Sequence, residues 1–539
     1  MGNHNINKTY IEKALLLLLL LLILANSCIF ASQKKGYFLD EGCTFLTSNA
    51  DVIKFDSLQT LIKQYKHAPV YFVMDKWTGY EEIMDFYTTK NSGSFGFLDV
   101  CYSQAYDVHP PLYFACINII SSLFPNLDLK WVGYLVNIIF LLATCICIYN
   151  ICVLVLGTDN KIPAMAAMLY YGLSYEFTNT ATYCRMYAML GFWLTMLLFV
   201  TIRFVKNDFL CNKHFLFWHC CAIFCAMLTQ YFAAFYILPI FIISLLLLII
   251  KKKSVKNYVQ SNLITGILYL LLWPSSVFHL LFTNRGRDVL TNVIDMNLQS
   301  RIKDYIYLLS CSLFSGMNKS MCIFFVIALI LGVISIWNYR KRNIVEKSDT
   351  DYQNCSIYIL LCIPAILYFV IVSALSPWIV DRYQMPIMPI FSILIVLVIH
   401  KFLKSFIKNR IIIYVLLLAL PLILCYRWES KYEPRYLYND SQRSEYIANY
   451  KMYDAIVVSR KPNDLFVEIP INYPHSNYLS TFESGIDKAI HSISEIHHPF
   501  VMYLYKNCDA EIAEYLQKSG FSCEKLDYSA DSYDIYFVK

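Results

Sequence analysis

Charge is what this chain has least of. Only 16% of its 539 residues are Asp, Glu, Lys or Arg, against 58% hydrophobic, and its mean hydropathy is +0.47. A soluble globular chain carries about 25% charged residues, so that class is excluded. The net charge of +6 is small and gathers in a few connections, which gives no argument for a nucleic-acid partner. Familiar catalytic signatures are missing too. The region after Arg427 has no glycine-rich phosphate loop, no CxxC pair and no hydrolase elbow. His219, His279 and the pair His497–His498 show no ligand spacing. Nor do the 19 cysteines spell out a disulfide framework. Most, including Cys145, Cys147, Cys152, Cys220, Cys221 and Cys225, sit inside apolar runs, where they act as small hydrophobes. Cys43, Cys101, Cys508 and Cys523 fall in polar segments, and their pairing stays open.

What is present is a series of apolar runs matched to a hydrocarbon core of about 30 Å. A first run, Ala14–Ala25, follows Lys8 and Lys13 and precedes Asn26, Ser27 and Cys28. It resembles a signal peptide, but the preferred reading is an uncleaved first span. Further spans are expected near 131–156, 161–178, 186–204, 215–231, 234–250, 260–282, 320–338, 357–375, 384–400 and 411–427. The fold class is therefore a mainly α-helical, polytopic membrane protein with about eleven transmembrane helices. The expected segments are 1–31 (first span), 32–130 (a large polar loop with interfacial helices), 131–427 (the spans) and 428–539 (a small soluble α/β domain). In the last, strands are expected at Ala455–Ser459, Leu465–Ile469, Phe500–Tyr505 and Tyr533–Val538. A helix is expected at Asp509–Ser519, with Gly520 just beyond its end.

Basic residues settle the expected threading, because they accumulate in short cytoplasmic connections. With the amino terminus inside, four clusters fall on one side: Arg203, Lys206 and Lys213; Lys251–Lys253 and Lys256; Arg340–Arg342 and Lys347; and Lys401, Lys404, Lys408 and Arg410. Counting Pro111–Phe124 as a span would reverse every one, so it reads as an interfacial helix. The polar loop 32–130, the turn around Arg185, the loop Thr283–Ser320, the turn SPWIVDRYQMP and the carboxy-terminal domain then all lie outside.

That outer side collects the candidate chemistry. Asp40 and Glu41, in GYFLDEGCTF, can supply a general base for an acceptor hydroxyl or amine; alone, two solvated acids would be the commoner finding. Asp107 and His109, in YDVHPPLYF, can face one phosphate, metal or acceptor, and Pro110–Pro111 stiffen the start of the following helix. They form the only, and weak, candidate site for a divalent metal ion. Arg185 with Tyr187, Arg382 with Tyr383, and Arg285 and Arg287 in TNRGRD are candidate phosphate ligands, guanidinium being planar and always charged. Snorkelling at a helix end or plain surface charge is the alternative for each.

Taken in order, a first span followed by LDE, a long loop ending in DVHPPLYF, then RMYAML and RYQMPIMPI resemble the GT-C glycosyltransferases over roughly residues 10–430. The nearest branch is that of dolichyl-phosphate-mannose protein mannosyltransferases and bacterial aminoarabinose transferases. The resemblance implies transfer of a sugar from a polyprenyl-phosphate donor to a glycan, lipid or protein acceptor, at the outer face of a cell membrane. It implies Asp40 as base, Glu41 and Asp107 as supporting acids, His109 as a phosphate or acceptor contact and Arg382 as a ligand of the donor phosphate. One departure stands out: relatives often carry an acid two residues before the arginine of the RMY motif, where this chain has Tyr183. An inverting displacement is expected. The competing classes are a transporter or flippase of lipid-linked sugars, which would have buried charge in mid-span and broken helices, and an O-antigen ligase or polymerase. Lys-, Ile-, Asn- and Tyr-rich usage points to a bacterial envelope.

Overall fold

The computed structural model describes residues 2–51, 75–282, 298–317, 349–459, 467–482 and most of 499–539. Arg285, Arg287 and the expected span 320–338 lie outside the described residues. The chain divides into two compact units that do not follow its order. One comprises Met1–Ser32, Val108–Tyr113 and Gly133–Arg435; the other comprises Gln33–Asp107, Phe114–Val132 and Tyr436–Lys539.

The first unit is helical. Among the described residues seven helices are long and apolar enough to cross a membrane: Tyr10–Gln33, Leu129–Leu156, Tyr187–Lys206, Tyr231–Ile250, Tyr352–Leu375, Met385–Phe406 and Arg410–Glu429. Their outward residues are apolar, as lipid contact requires; Ile411, Val415 and Ile423 on the last helix are all well exposed. The expected span 215–231 is the helix Lys213–Thr229. The expected span 260–282 is a bent pair, Lys256–Leu272 and Ser275–Phe282, meeting at 82°. Pro274 sits at the corner, where its ring and missing N–H stop the first helix. The expected span 161–178 is likewise interrupted. Its helix ends at Gly172, and Ser174 opens a new short helix, Tyr175–Thr182, by accepting a hydrogen bond from the Phe177 amide at 3.1 Å. Gly172 has to be glycine: an added Cβ would fall 2.3 Å from Ile23 Cδ1 of the first helix.

The unit has two chemically distinct ends. At one, basic residues from three of the clusters converge: Lys253 pairs with Asp208 at 2.6 Å, Lys206 reaches Asn354, and Lys251 and Lys401 lie over the rings of Tyr352 and Tyr358. Lys161 pairs with Glu12 in the same way at the start of its helix. The helix Tyr187–Lys206 begins at the other end and has 20 residues, so the two ends lie about 30 Å apart.

The second unit is built on a six-stranded sheet of order β1-β3-β2-β4-β6-β5, with β1 Trp77–Gly79, β2 Asp454–Ser459, β3 Asn477–Phe482, β4 Phe500–Tyr505, β5 Cys523–Lys525 and β6 Tyr533–Val538. β2 runs parallel to β3 and β4; the other pairings are antiparallel. Alternate residues Ile456 and Val458, and Phe500, Met502 and Leu504, form one buried face with Ile512 and Leu516 of the helix Glu511–Lys518. Two expectations change here. Residues 468–472 form a short helix rather than a strand, because Pro470 has no N–H for a ladder. The edge strand β1 comes from the polar loop 32–130, so that loop and the carboxy-terminal residues share one sheet. Cys43, Cys101, Cys508 and Cys523 all carry free thiols.

Residues just after the first helix are tied into this unit. Tyr37 and Asn472 exchange two hydrogen bonds of 2.8 Å. The Lys34 ammonium, 3% exposed, lies 2.9 and 3.0 Å from the two oxygens of fully buried Glu41 and donates to the Tyr436 carbonyl at 2.6 Å. Removing one member of such a pair leaves a buried charge, a loss of about 3–5 kcal/mol. Lys34→Met is therefore expected to lower the thermal unfolding midpoint of the detergent-purified protein clearly, and Lys34→Met/Glu41→Met to recover much of it. Equal midpoints for the wild type and the single variant would show that the pair contributes nothing to folding.

Candidate functional site

The stretch Val108–Tyr113 and the turn after Thr182 lock together in the first unit. Tyr113, fully buried, donates its hydroxyl to Asn137 Oδ1 at 3.0 Å. Asn137 then donates its amide to the carbonyls of Tyr183 at 2.7 Å, Thr180 at 3.2 Å and Ala181 at 3.3 Å. Those carbonyls stand at a helix end, where no intrahelical donor remains for them. The Asn137 amide thus fixes the backbone from which Tyr183 and Arg185 project.

Two guanidinium groups, both buried, are placed by that turn. Arg185 donates through Nη2 to His109 Nε2 at 2.5 Å. Since arginine only donates, His109 accepts at Nε2 and carries its proton on Nδ1. Arg382 donates to the Tyr183 hydroxyl at 3.0 Å. Tyr183 stacks on Tyr187 with ring centroids 5.9 Å apart, Tyr187 meets Tyr383 edge-on, and the Arg382 guanidinium lies 5.4 Å from the Tyr383 ring centre. Five of the sequence candidates, His109, Arg185, Tyr187, Arg382 and Tyr383, are therefore gathered in one place. Tyr183, which stands where an acid was expected, joins the two arginine motifs. Two fixed guanidiniums and a polarised imidazole can hold a phosphate and neutralise charge that develops on it.

Beside them lies an acidic group that sequence reasoning passed over. Glu176, fully buried on the short helix Tyr175–Thr182, lies 2.5 Å from Ser312 Oγ through its Oε2, and its Oε1 has no hydrogen-bond partner. The Asp381 carboxylate lies close enough to act on it electrostatically. Asp381 accepts from the Arg382 amide at 2.9 Å and pairs with Arg435 at 3.5 Å. The only sequence signal for Glu176 was a lone acid beside an apolar run, and nothing in the pattern tied it to Ser312, 136 residues away.

The other three acids belong to the second unit. Asp40 lies in the first turn of the helix Leu39–Asn49 and is partly exposed. Glu41 is committed to Lys34 and to the Phe38 amide, which it caps at 2.8 Å, so it holds the turn that carries Asp40. Asp107 ends the helix Phe97–Tyr106, its amide donating to the Ser103 carbonyl at 2.9 Å. Among the described residues no three His, Cys, Asp or Glu side chains form a cluster able to hold a metal ion.

Residues 108–277 match the family described as dolichyl-phosphate-mannose-protein mannosyltransferase. A search of curated proteins returns no match. Among solved structures, the fold is similar to that of ArnT from Cupriavidus metallidurans bound to undecaprenyl phosphate, with TM-score 0.54 and 10% identity over 97% of this chain and 98% of that one. The apo form of the same enzyme gives 0.53 and 9% with the same coverage. Of the motifs singled out in the sequence, the family match spans VHPPLYF and RMYAML.

Proposed function

We propose that this chain is a membrane glycosyltransferase that moves a sugar from a polyprenyl-phosphate-linked donor to a nucleophile on a glycan, lipid or protein. The observation that carries the reading is the buried pairing of Arg185 with His109 and of Arg382 with Tyr183 at one end of an apolar helical unit. A lipid-borne phosphate places its charge at that depth, at the boundary between chain ends and headgroups. The basic clusters at the opposite end support an orientation with this site facing away from the cytoplasm. Nucleotide-linked sugars do not reach that face, so a donor delivered through the membrane fits it.

In the proposed step, an acceptor hydroxyl or amine attacks the anomeric carbon while the bond from that carbon to the phosphate oxygen breaks. The acceptor's proton goes to Asp40, and the electron pair leaves on the polyprenyl phosphate, whose charge Arg382 and Arg185 hold. One displacement without a covalent enzyme intermediate inverts the anomeric centre. Glu41 positions Asp40 through the turn it caps; Asp107 and His109 support the phosphate or the acceptor. Arg285 and Arg287 are further candidates for the donor phosphate. For a divalent ion, Asp107 and His109 are too few to build a site from the residues described.

The bent helix pair and the interruption after Gly172 are features a lipid-sugar transporter would share, and one assay separates the readings. The detergent-solubilised protein, with no membrane sides to cross, is supplied with radiolabelled polyprenyl-phosphate sugar and an envelope extract as acceptor. Transfer of label is expected, with Asp40→Asn lowering the rate by about 10²-fold or more, the usual share of a general base. Arg382→Ala is expected to cost at least as much, as removal of a phosphate clamp does. Full activity in both variants would sink the assignment, and absence of transfer with vectorial movement of donor in vesicles would favour transport.

A further inference from the structure

A cavity in the second unit has a volume of about 680 Å³ and is assigned no role by the chemistry above. Such a volume suits a small or medium organic ligand. Its charge is lopsided. Lys34, Lys35, Lys90, Lys130 and Arg443 line it, with Asp128 the one acid among its lining residues. Lys34 is already neutralised by Glu41. Asp128 is occupied in part: it accepts from the Tyr37 hydroxyl and from the Lys130 amide, both at 3.0 Å. Lys35, Lys90 and Arg443 therefore share the cavity with a single, engaged carboxylate.

Arg443 makes the imbalance costly. It is 7% exposed, and its hydrogen bonds go to three backbone carbonyls, of Asn472, Tyr438 and Lys35. No carboxylate among the described residues pairs with it. Three of its five N–H groups are spent on those carbonyls, leaving two. The guanidinium packs against Gly36, where an added Cβ would fall 1.6 Å from its Nη1 and displace it. A buried cation without a counter-ion disfavours the folded state, and a bound anion would remove that cost. Lys35 and Lys90 reach the same space and have no ion pair among the described residues. Around the cations lie Tyr80, Thr88, Asn126 and Ser444, whose hydroxyls and amide are partners for sugar hydroxyls.

We infer that this cavity is a binding site for an anionic saccharide, a sugar carrying a phosphate monoester or a carboxylate. On the glycosyltransferase reading, on which this use of the site rests, it holds the charged part of the acceptor. The cavity itself rests only on the second unit. The same phosphate chemistry could come from a soluble sugar phosphate or from a phospholipid headgroup, and the test separates the two.

The full chain is placed in phosphatidylcholine nanodiscs and titrated with glucose 6-phosphate in a calorimeter, with glucose as the uncharged control and no donor present. Glucose 6-phosphate is expected to bind, more weakly as salt rises, and glucose not to bind. Lys35→Ala/Lys90→Ala, at two lysines free of ion pairs, is expected to weaken binding about tenfold or more, the usual worth of a charge-assisted hydrogen bond or two. Arg443→Gln, which keeps part of the donor set, is expected to do the same with an unfolding midpoint checked alongside. Phosphatidylglycerol nanodiscs that abolish the sugar-phosphate signal would identify a lipid headgroup as the occupant; an unchanged signal would identify a soluble or glycan phosphate. The first result overturns the saccharide assignment; the second supports it. Equal affinity for glucose and glucose 6-phosphate, no binding of either, or binding indifferent to the lysine pair would overturn it. None of these results depends on whether sugar transfer occurs.

Discussion

One side-chain amide sets the course of the backbone around the paired arginines. Asn137, fully buried in the helix Leu129–Leu156, serves three carbonyls at the end of the helix Tyr175–Thr182 while its own oxygen is taken by Tyr113. Orphan carbonyls in an apolar surrounding are costly, so a chain that stops a helix inside a bundle must supply a donor there. Once Asn137 does so, the backbone of Tyr183 to Arg185 has a fixed course and the next helix starts at Tyr187. The proline-rich stretch is drawn in by the same contact, since Tyr113 is its partner. Replacing that single amide by an apolar group would leave the turn, and with it both arginine motifs, without a defined position.

The electrostatics rest on that geometry. A guanidinium stays charged wherever it is placed, so burying Arg185 and Arg382 beside an imidazole and a phenol concentrates positive charge where water is scarce and its effect on an anion is large. Nearby, two acids are partnered differently: buried Glu176 meets Ser312, while Asp381 is drawn toward Arg435 and the Arg382 amide.

Apolar runs and isolated motifs were readable in the sequence because each is a local property. The long spans, the polar stretch ending in HPPLYF, the helix ending before Gly520 and the strands Asp454–Ser459, Phe500–Tyr505 and Tyr533–Val538 all belong to that class. What escaped depended on partners far away. Trp77–Gly79 is three residues long and becomes a strand only because β3 lies against it, with Gly79 opposite Asn477. Asn477–Phe482 carries Asn, Ser and Thr in a run that looks like a loop until β2 and β1 flank it. Tyr183 looked like a loss, an acid missing from its motif, until the Arg382 contact gave it a function across 199 residues. Glu176 shows the same limit from the other side: a buried acid is visible as a letter, but its partner Ser312, 136 residues away, is not.

The two ends of the helical unit hold cations of different kinds. Lysines and arginines concentrate at the end where Lys253 meets Asp208 and Lys206 meets Asn354, and long helices place the His109–Arg185 and Tyr183–Arg382 pairs about 30 Å away. These two sets have different reasons to exist. The first is exposed, flexible and paired at the surface, worth little to stability and well suited to setting orientation during insertion. The second is buried, hydrogen-bonded and fixed by backbone turns, so it has no role in insertion and a real desolvation cost to offset. A chain under no demand at that end could have carried Leu or Met there at lower cost. On the proposed reading, the anion that offsets this cost arrives from within the bilayer plane, as a lipid-borne phosphate does and a soluble one does not.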